Sequence, residues 1–339
     1  MPLHAALRLI AQGQSLTPDQ AADAFAVIMR GDATPSQIGG LLLGLRARGE
    51  TADEVAGAAR AMRAAMVPVR SAPGAAVVDT CGTGGGTVST FNISTAAALV
   101  AAAAGARVPK HGNRSYTSKC GSADVLEALG VNIMLGAEQA AEVLDEVGMV
   151  FLFAPTYHPA MRHVGPTRKE LGVATIMNLL GPLANPAGVE CQVIGVADRT
   201  RAPLMAHALL RLGARRALVV HGEVGMDELS PAGVNAVWEI ADGEVRRWTL
   251  DPGDYELEWD RLEDLAGGDP GENALRIERL LNGGKDEAGR RAVLLNAAAA
   301  LYVAGLAPDY AGAVGLARST LDDGSAANLL GQLRAAAPG

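Results

Sequence analysis

Three segments of this chain gather side chains whose types and spacing could do chemistry. The first, Asp79 to Thr95, reads DTCGTGGGTVSTFNIST. Glycine fills four of the five positions Gly82 to Gly86, leaving backbone N–H groups unshielded, and an alanine-rich helix opening at Ser94 and Thr95 adds partial positive charge and two hydroxyls. Such a segment is a phosphate or pyrophosphate cradle. It is not a Walker loop, since no GK[ST] follows, and it lacks the GxGxxG register with an acidic residue about 20 positions on. A tight glycine turn with a hydroxyl cap would read the same way.

The second segment, Lys110 to Asp124, is KHGNRSYTSKCGSAD. Ten of its fifteen side chains can donate a hydrogen bond, and Lys110, Arg114 and Lys119 carry fixed positive charge. A loop this basic in an acidic chain predicts a local anion site; the alternative is a solvated loop whose Ser122 caps the next helix. The third segment, HGEVGMDELS over 221–230, sets Asp227 beside Glu228 on a glycine-flanked loop. Adjacent carboxylates repel unless a cation lies between them, and magnesium is the usual one near phosphates; an exposed acidic turn is the plainer reading. The histidines say less. His158 and His163 are five apart, which does not put both on one helical face, and His4, His163 and His207 read as surface or packing residues.

Stepping from these loops to their supports, 339 residues suggest about two domains. With 29 basic and 37 acidic side chains the net charge is −8, against broad binding to nucleic acid or anionic membranes. Cys81, Cys120 and Cys191 are odd in number and form no CxxC pair, excluding a disulfide framework and a thiolate zinc site. The N-terminus, MPLHAALRLIAQGQ, lacks a basic region followed by an apolar one, and the longest apolar run, Ala96 to Ala104, falls short of the ~18 to 20 residues of a membrane span. A soluble, cytoplasmic protein with a small-molecule partner is expected. Only four of the 29 basic residues are lysine, and three of those, Lys110, Lys119 and Lys169, lie between 110 and 169.

The first seventy residues repeat one helix-start signal at Thr17-Pro18-Asp19-Gln20, Thr34-Pro35-Ser36-Gln37 and Thr51-Ala52-Asp53-Glu54. Each is a capping box, proline twice takes the first helical position, and Gly31 and Gly49 stop the first two helices. Residues 1–70 are therefore predicted to be all-α. Beyond Pro73-Gly74, short apolar runs end in glycine-rich turns: Ala75 to Val78, Ala106 to Pro109, Met149 to Phe153, Val193 to Val196 and Ala217 to Val220. This alternation predicts βα units on a largely parallel sheet, with ligands outside the carboxyl ends of its strands. Leu171 to Pro186 reads as helix until Gly181-Pro182 breaks it, 235–249 as a hairpin about Asp242-Gly243, and 273–333 as four helices. The fold class is thus α/β: a small all-α N-terminal domain (1–70, completed by 165–187) and a large α/β domain (74–339).

A diphosphate cradle, a basic loop and a carboxylate pair, with no candidate nucleophile, suggest transfer of a phosphorylated sugar from a diphosphate donor. CGTGGGTVSTFNIST, KHGNRSYTSKCGSADVLEALG, HPAMRHVGPTRKELG, NLLGPLANPAG and HGEVGMDELS resemble, in order and spacing, the motifs of the anthranilate phosphoribosyltransferases, and the resemblance extends over the helical N-terminus. It implies a class II nucleoside phosphorylase-like fold, a homodimer formed through the α domain, and transfer of the phosphoribosyl group of phosphoribosyl pyrophosphate to anthranilate with two magnesium ions. Carried over by position, Gly82, Thr83, Gly84, Gly85, Gly86, Thr90, Asn92, Ile93, Ser94, Thr95, Lys110, Ser118 and Ser122 would bind the donor. Gly82, His111, Asn113 and Arg168 would bind anthranilate, and Ser94, Asp227 and Glu228 the metal. No residue is implied as general base.

The chain departs from the family pattern in places. Gly86 stands where the family has aspartate, Ala174 and Met177 where it has arginine and phenylalanine, and Tyr116 and Cys120 where it has smaller or hydroxylated residues. A pyrimidine nucleoside phosphorylase of the same fold would have no use for DELS. A non-catalytic relative that binds nucleic acid would show a basic surface and lost carboxylates.

Overall fold

The computed structural model describes residues 3–70, 77–115 and 119–336. The chain opens with α1 (Leu3–Ala11), α2 (Pro18–Met29), α3 (Pro35–Arg48) and α4 (Ala52–Ala64). All three capping boxes form: Thr17, Thr34 and Thr51 accept from the amides of Gln20, Gln37 and Glu54, whose side chains reach back to the threonine amides. Phe25, Ile28, Ile38, Leu41, Leu42 and Leu45 are buried, as their helical spacing requires.

The remainder alternates: β1 (Val78–Gly82), α5 (Ile93–Ala103), β2 (Val108–Gly112), α6 (Ser122–Ala128), α7 (Ala137–Val147), β3 (Met149–Phe153), α8 (Ala154–Tyr157), α9 (Gly165–Leu171), α10 (Met177–Leu183), β4 (Cys191–Gly195), α11 (Ala202–Arg211), β5 (Arg216–Gly222), β6 (Asn235–Ala241) and β7 (Glu244–Leu250). Four helices follow, α12 (Pro270–Leu281), α13 (Glu287–Ala304), α14 (Tyr310–Asp322) and α15 (Ser325–Ala336). The sheet runs β1-β4-β5-β6-β7, parallel through β5 and antiparallel beyond. The parallel pair β2-β3 joins its edge through a single bridge, Val77 with Arg107. α5, and α13 from Ala292 onward, are buried nearly all round against each other and the strands. α4 packs on α10 and α11, and α3 on α9, which binds the N-terminal helices to the rest. No helix among the described residues is long and apolar enough to cross a membrane.

Met149 to Phe153 is a strand with the expected ends, and the 242–243 turn has both residues at positive φ, the hairpin geometry matched to sheet twist. Three other strands run later than the apolar runs suggest, to Gly82, Gly112 and Gly222, because polar residues such as Asp79 and Lys110 are buried within them, whereas β4 starts two residues before the Val193 to Val196 run and ends one before its end; Ala75 and Ala76 lie outside the described residues. The expected helix from Leu171 is in fact two. Gly172, at φ 63°, stops α9, and α10 starts at Met177 and passes through Pro182, ending one residue later. Proline is tolerated there because it sits at the next-to-last position of a two-turn helix, where its missing N–H forfeits a single bond.

Candidate functional site

The glycine cradle hangs between β1 and α5 and is stitched to its neighbours by backbone bonds. The Thr83 amide donates to the Gly195 carbonyl (2.9 Å) and the Thr87 amide to that of Gly225 (3.1 Å). Gly84 and Gly85 take positive φ, turning the loop back on itself. Behind it the Asn92 side chain accepts from Asn273 Nδ2 (3.0 Å) and donates to the Cys120 carbonyl (3.3 Å), so it ties the cradle to the second loop.

Into this cradle comes the acidic loop that follows β5. Asp227 Oδ2 accepts from the Gly84 amide at 2.8 Å. Glu228 Oε1 accepts from the Ser94 amide at 2.9 Å, at the N-terminus of α5, and its Oε2 from the Thr90 hydroxyl at 3.1 Å. Such closeness requires Gly195, where a Cβ would overlap the Asp227 carbonyl. Burial, with repulsion from Asp227, pushes the Glu228 carboxyl up to about 8; burial also raises Asp227. Two crowded, half-buried carboxylates beside hydroxyl oxygens make a hard oxygen donor set. Among the described residues no cluster of three or more His, Cys, Asp or Glu surrounds one point, and magnesium characteristically combines one or two carboxylates with substrate phosphates and water. The residues fit that ion.

The three fixed charges of the second loop sit in different surroundings. Arg114 is taken up by Asp124 (2.8 Å) and Glu127 (2.9 Å) on α6. Lys110 is 1% exposed, its ammonium turned inward onto the Thr80 carbonyl and within 3.4 Å of Ser94 Oγ. Of the three, Arg114 and Lys119 are exposed, Arg114 while paired with carboxylates. Gly112 permits the loop to return, because a Cβ there would meet Ser122 Oγ. Ser122 does not cap α6, whose cap position is Gly121; its hydroxyl donates to the Asn113 carbonyl at 3.4 Å. Ser118 and Tyr116 lie outside the described residues.

His111, near the end of β2, lies 5.0 Å between centroids from His158, the two rings tilted by 53°, and His158 is a residue that sequence spacing passed over. Both rings are buried, and burial holds them neutral, lowered to about 3 and about 4. Both ring nitrogens of His158 and Nε2 of His111 are buried without a hydrogen-bond partner among the described residues. Arg168 stands half-buried in the last turn of α9.

The structure thus gathers Gly82 to Gly86, Thr90, Ser94, Lys110, Asp227 and Glu228 around one crevice at the carboxyl ends of the strands. The Ile93 and Thr95 side chains face inward and are fully buried, Thr95 Oγ1 without a partner. Sequence reasoning assigned no role to Asp79, His158 or Asn185; the available signal was a polar residue inside an apolar segment.

The sequence matches two family descriptions, "Glycosyl transferase family, helical bundle domain" over residues 4–66 and "Glycosyl transferase family, a/b domain" over 74–327. It is 53% identical over 315 residues to anthranilate phosphoribosyltransferase 2 of Streptomyces coelicolor, covering 93% of each chain. Among solved structures, the anthranilate phosphoribosyltransferase of Thermus thermophilus superposes with a TM-score of 0.92 at 46% identity, covering 98% of both chains. The Saccharomyces cerevisiae enzyme in complex with PRPP and Mg superposes with a TM-score of 0.88 at 28% identity, covering 98% of this chain and 97% of its own.

Proposed function

The chain belongs to the anthranilate phosphoribosyltransferases, within a glycosyl transferase family, and we propose that the strand-end crevice is where it does that family's chemistry. It transfers the phosphoribosyl group of phosphoribosyl pyrophosphate to anthranilate, a step of tryptophan biosynthesis that yields N-(5-phosphoribosyl)anthranilate and pyrophosphate. The observation that carries the site assignment is the convergence of Asp227 and Glu228 on the amides of Gly84 and Ser94.

In this reading Gly82 to Gly86, Thr90, Asn92 and the α5 N-terminus receive the diphosphate through backbone and hydroxyl donors, with Lys110, Ser118 and Ser122 completing the donor site. Ile93 and Thr95 would contribute backbone alone. Ser94, Asp227 and Glu228 would hold two magnesium ions; magnesium, when bound, supplies positive charge against the pyrophosphate as it leaves. His111, Asn113 and Arg168 would orient anthranilate beside Gly82, Arg168 by pairing its planar guanidinium with the carboxylate. The two buried rings stay neutral and offer a dry wall to the aromatic amine. That amine is uncharged near neutral pH and attacks the anomeric carbon before it loses its proton, so positioning and charge stabilisation suffice without a strong general base.

Residues 1–70 with 165–187 form the helical domain in this assignment and 74–339 the transferase domain, supported by the packing of α3 on α9 and α4 on α10. The protein works as a cytoplasmic homodimer paired through the helical domain, where Leu43 of α3 is 48% exposed.

The test is to mix protein, phosphoribosyl pyrophosphate, magnesium and anthranilate and follow loss of anthranilate fluorescence. Loss that requires both the donor and the metal is expected. Turnover of a nucleoside with phosphate, and none of anthranilate, would overturn the reading.

A further inference from the structure

The strands β1 and β2 are neighbours whose hydrogen-bond ladder stops almost where it starts. The Val78 amide donates to the Arg107 carbonyl at 2.8 Å, in parallel register. The next bond of that register would run from residue 109 to the Val78 carbonyl, and residue 109 is proline, which has no N–H to give. Past this point no ladder pairs β1 with β2. The following rung would use the Pro109 carbonyl, the Thr80 carbonyl and the His111 amide, and each of the three is taken by a side chain. Asn185 Nδ2 donates to the Pro109 carbonyl (2.8 Å), the Lys110 ammonium to the Thr80 carbonyl, and the His111 amide to Asp79 Oδ1 (3.2 Å). Buried backbone groups must find partners, so these side chains keep the crevice open in place of the ladder.

Asp79 is the member of this wedge that needs explaining. It is 0% exposed, and its second oxygen, Oδ2, has no hydrogen-bond partner. A buried carboxylate with an unused oxygen is costly, and a neutral acceptor would serve the His111 amide as well. Burial pushes the Asp79 carboxyl up, and the charge that opposes this is Lys110, whose ammonium lies on the carbonyl of the neighbouring Thr80.

We propose that Asp79 is a positioning residue for the transfer: its carboxylate holds β1 and β2 apart at the crevice and fixes the Lys110 ammonium beneath the donor's phosphate groups. This rests on Lys110 being a donor contact, as assigned above. Asp79 touches neither substrate; it acts through Lys110, by charge, and through the His111 backbone, by hydrogen bond.

The test is steady-state kinetics of Asp79→Asn, Lys110→Met and the double variant, with Tm measured alongside. Asp79→Asn keeps an acceptor for His111 and loses the charge, so it should raise KM for phosphoribosyl pyrophosphate at least fivefold and change KM for anthranilate less than twofold. In the Lys110→Met background it should add almost nothing, since both act on one interaction. Asp79→Glu, which keeps the charge and shifts it, should raise the donor KM about threefold, and it carries the same test should the asparagine variant fail to fold. An unchanged donor KM in the Asp79 variants, or equal rises for both substrates, while Lys110→Met raises the donor KM, would overturn the proposal. If Lys110→Met itself leaves the donor KM unchanged, the donor-site assignment is at fault, and the proposal falls with it.

Discussion

Lowering the pH from 7.5 to 5 should cost the folded chain stability through His111 and His158. The two rings are 6% and 4% exposed. Burial is the main cause that lowers them, to about 3 and about 4, and His158 and Lys110 further oppose charge on His111. An imidazole in the unfolded chain titrates near 6.5, so above that pH both states are neutral and the stability is complete. As the pH falls below about 6.5 the unfolded chain takes up protons that the folded rings refuse, and stability is lost down to about 4 and about 3. At pH 5 an unfolded ring is about 1.5 units below its pKa, and at roughly 1.4 kcal/mol per unit each ring costs about 2 kcal/mol. Urea unfolding followed by fluorescence of Trp238, Trp248 and Trp259 measures this in the α/β part. Comparing wild type with His158→Gln cancels the other titrating groups, so wild type should lose about 2 kcal/mol more than the variant between the two pH values. Ring NMR resonances of His111 and His158 should stay flat from pH 8 to 5. Equal losses in the two proteins, or a ring midpoint near 6.5, would refute the burial argument.

Arg168→Ala should raise KM for anthranilate far more than that for the donor, checked by initial rates against each substrate; equal effects would remove Arg168 from the acceptor site. Asp227→Asn combined with Glu228→Gln should abolish most of the magnesium dependence of the rate, read from a magnesium titration. Gly195→Ala should destabilise by about 3 kcal/mol or more and lose most activity, because its methyl group would overlap the rigid backbone carbonyl of Asp227 rather than a mobile side chain. Arg63→Met should cost about 2 kcal/mol in denaturant, since the Arg63 side chain donates from α4 to the Leu183 carbonyl of α10 at 2.6 Å, a charged hydrogen bond whose loss leaves that carbonyl unpaired.

What sequence alone determined is what acts over a few residues. The threonine-to-glutamine and threonine-to-glutamate caps, the Asp-Gly hairpin turn, the Met149 to Phe153 strand and the membership of Gly82 to Gly86, Asp227 and Glu228 in loops at strand ends follow from local backbone chemistry and hydrophobic period. The family resemblance added roles to those residues. Charge was legible, its partners were not: that Asp124 and Glu127 of α6 pair with Arg114 appears only in the tertiary structure. The same holds for the contact of His158 with His111, which lie 47 positions apart, and for the buried Lys110. Pro109 is visible in the sequence as the residue that cannot continue a ladder. That its missing bond opens a wedge filled by Asp79, Asn185 and Lys110 depends on which strand lies alongside, and only the tertiary structure decides that, because strand pairing joins residues that no local pattern connects.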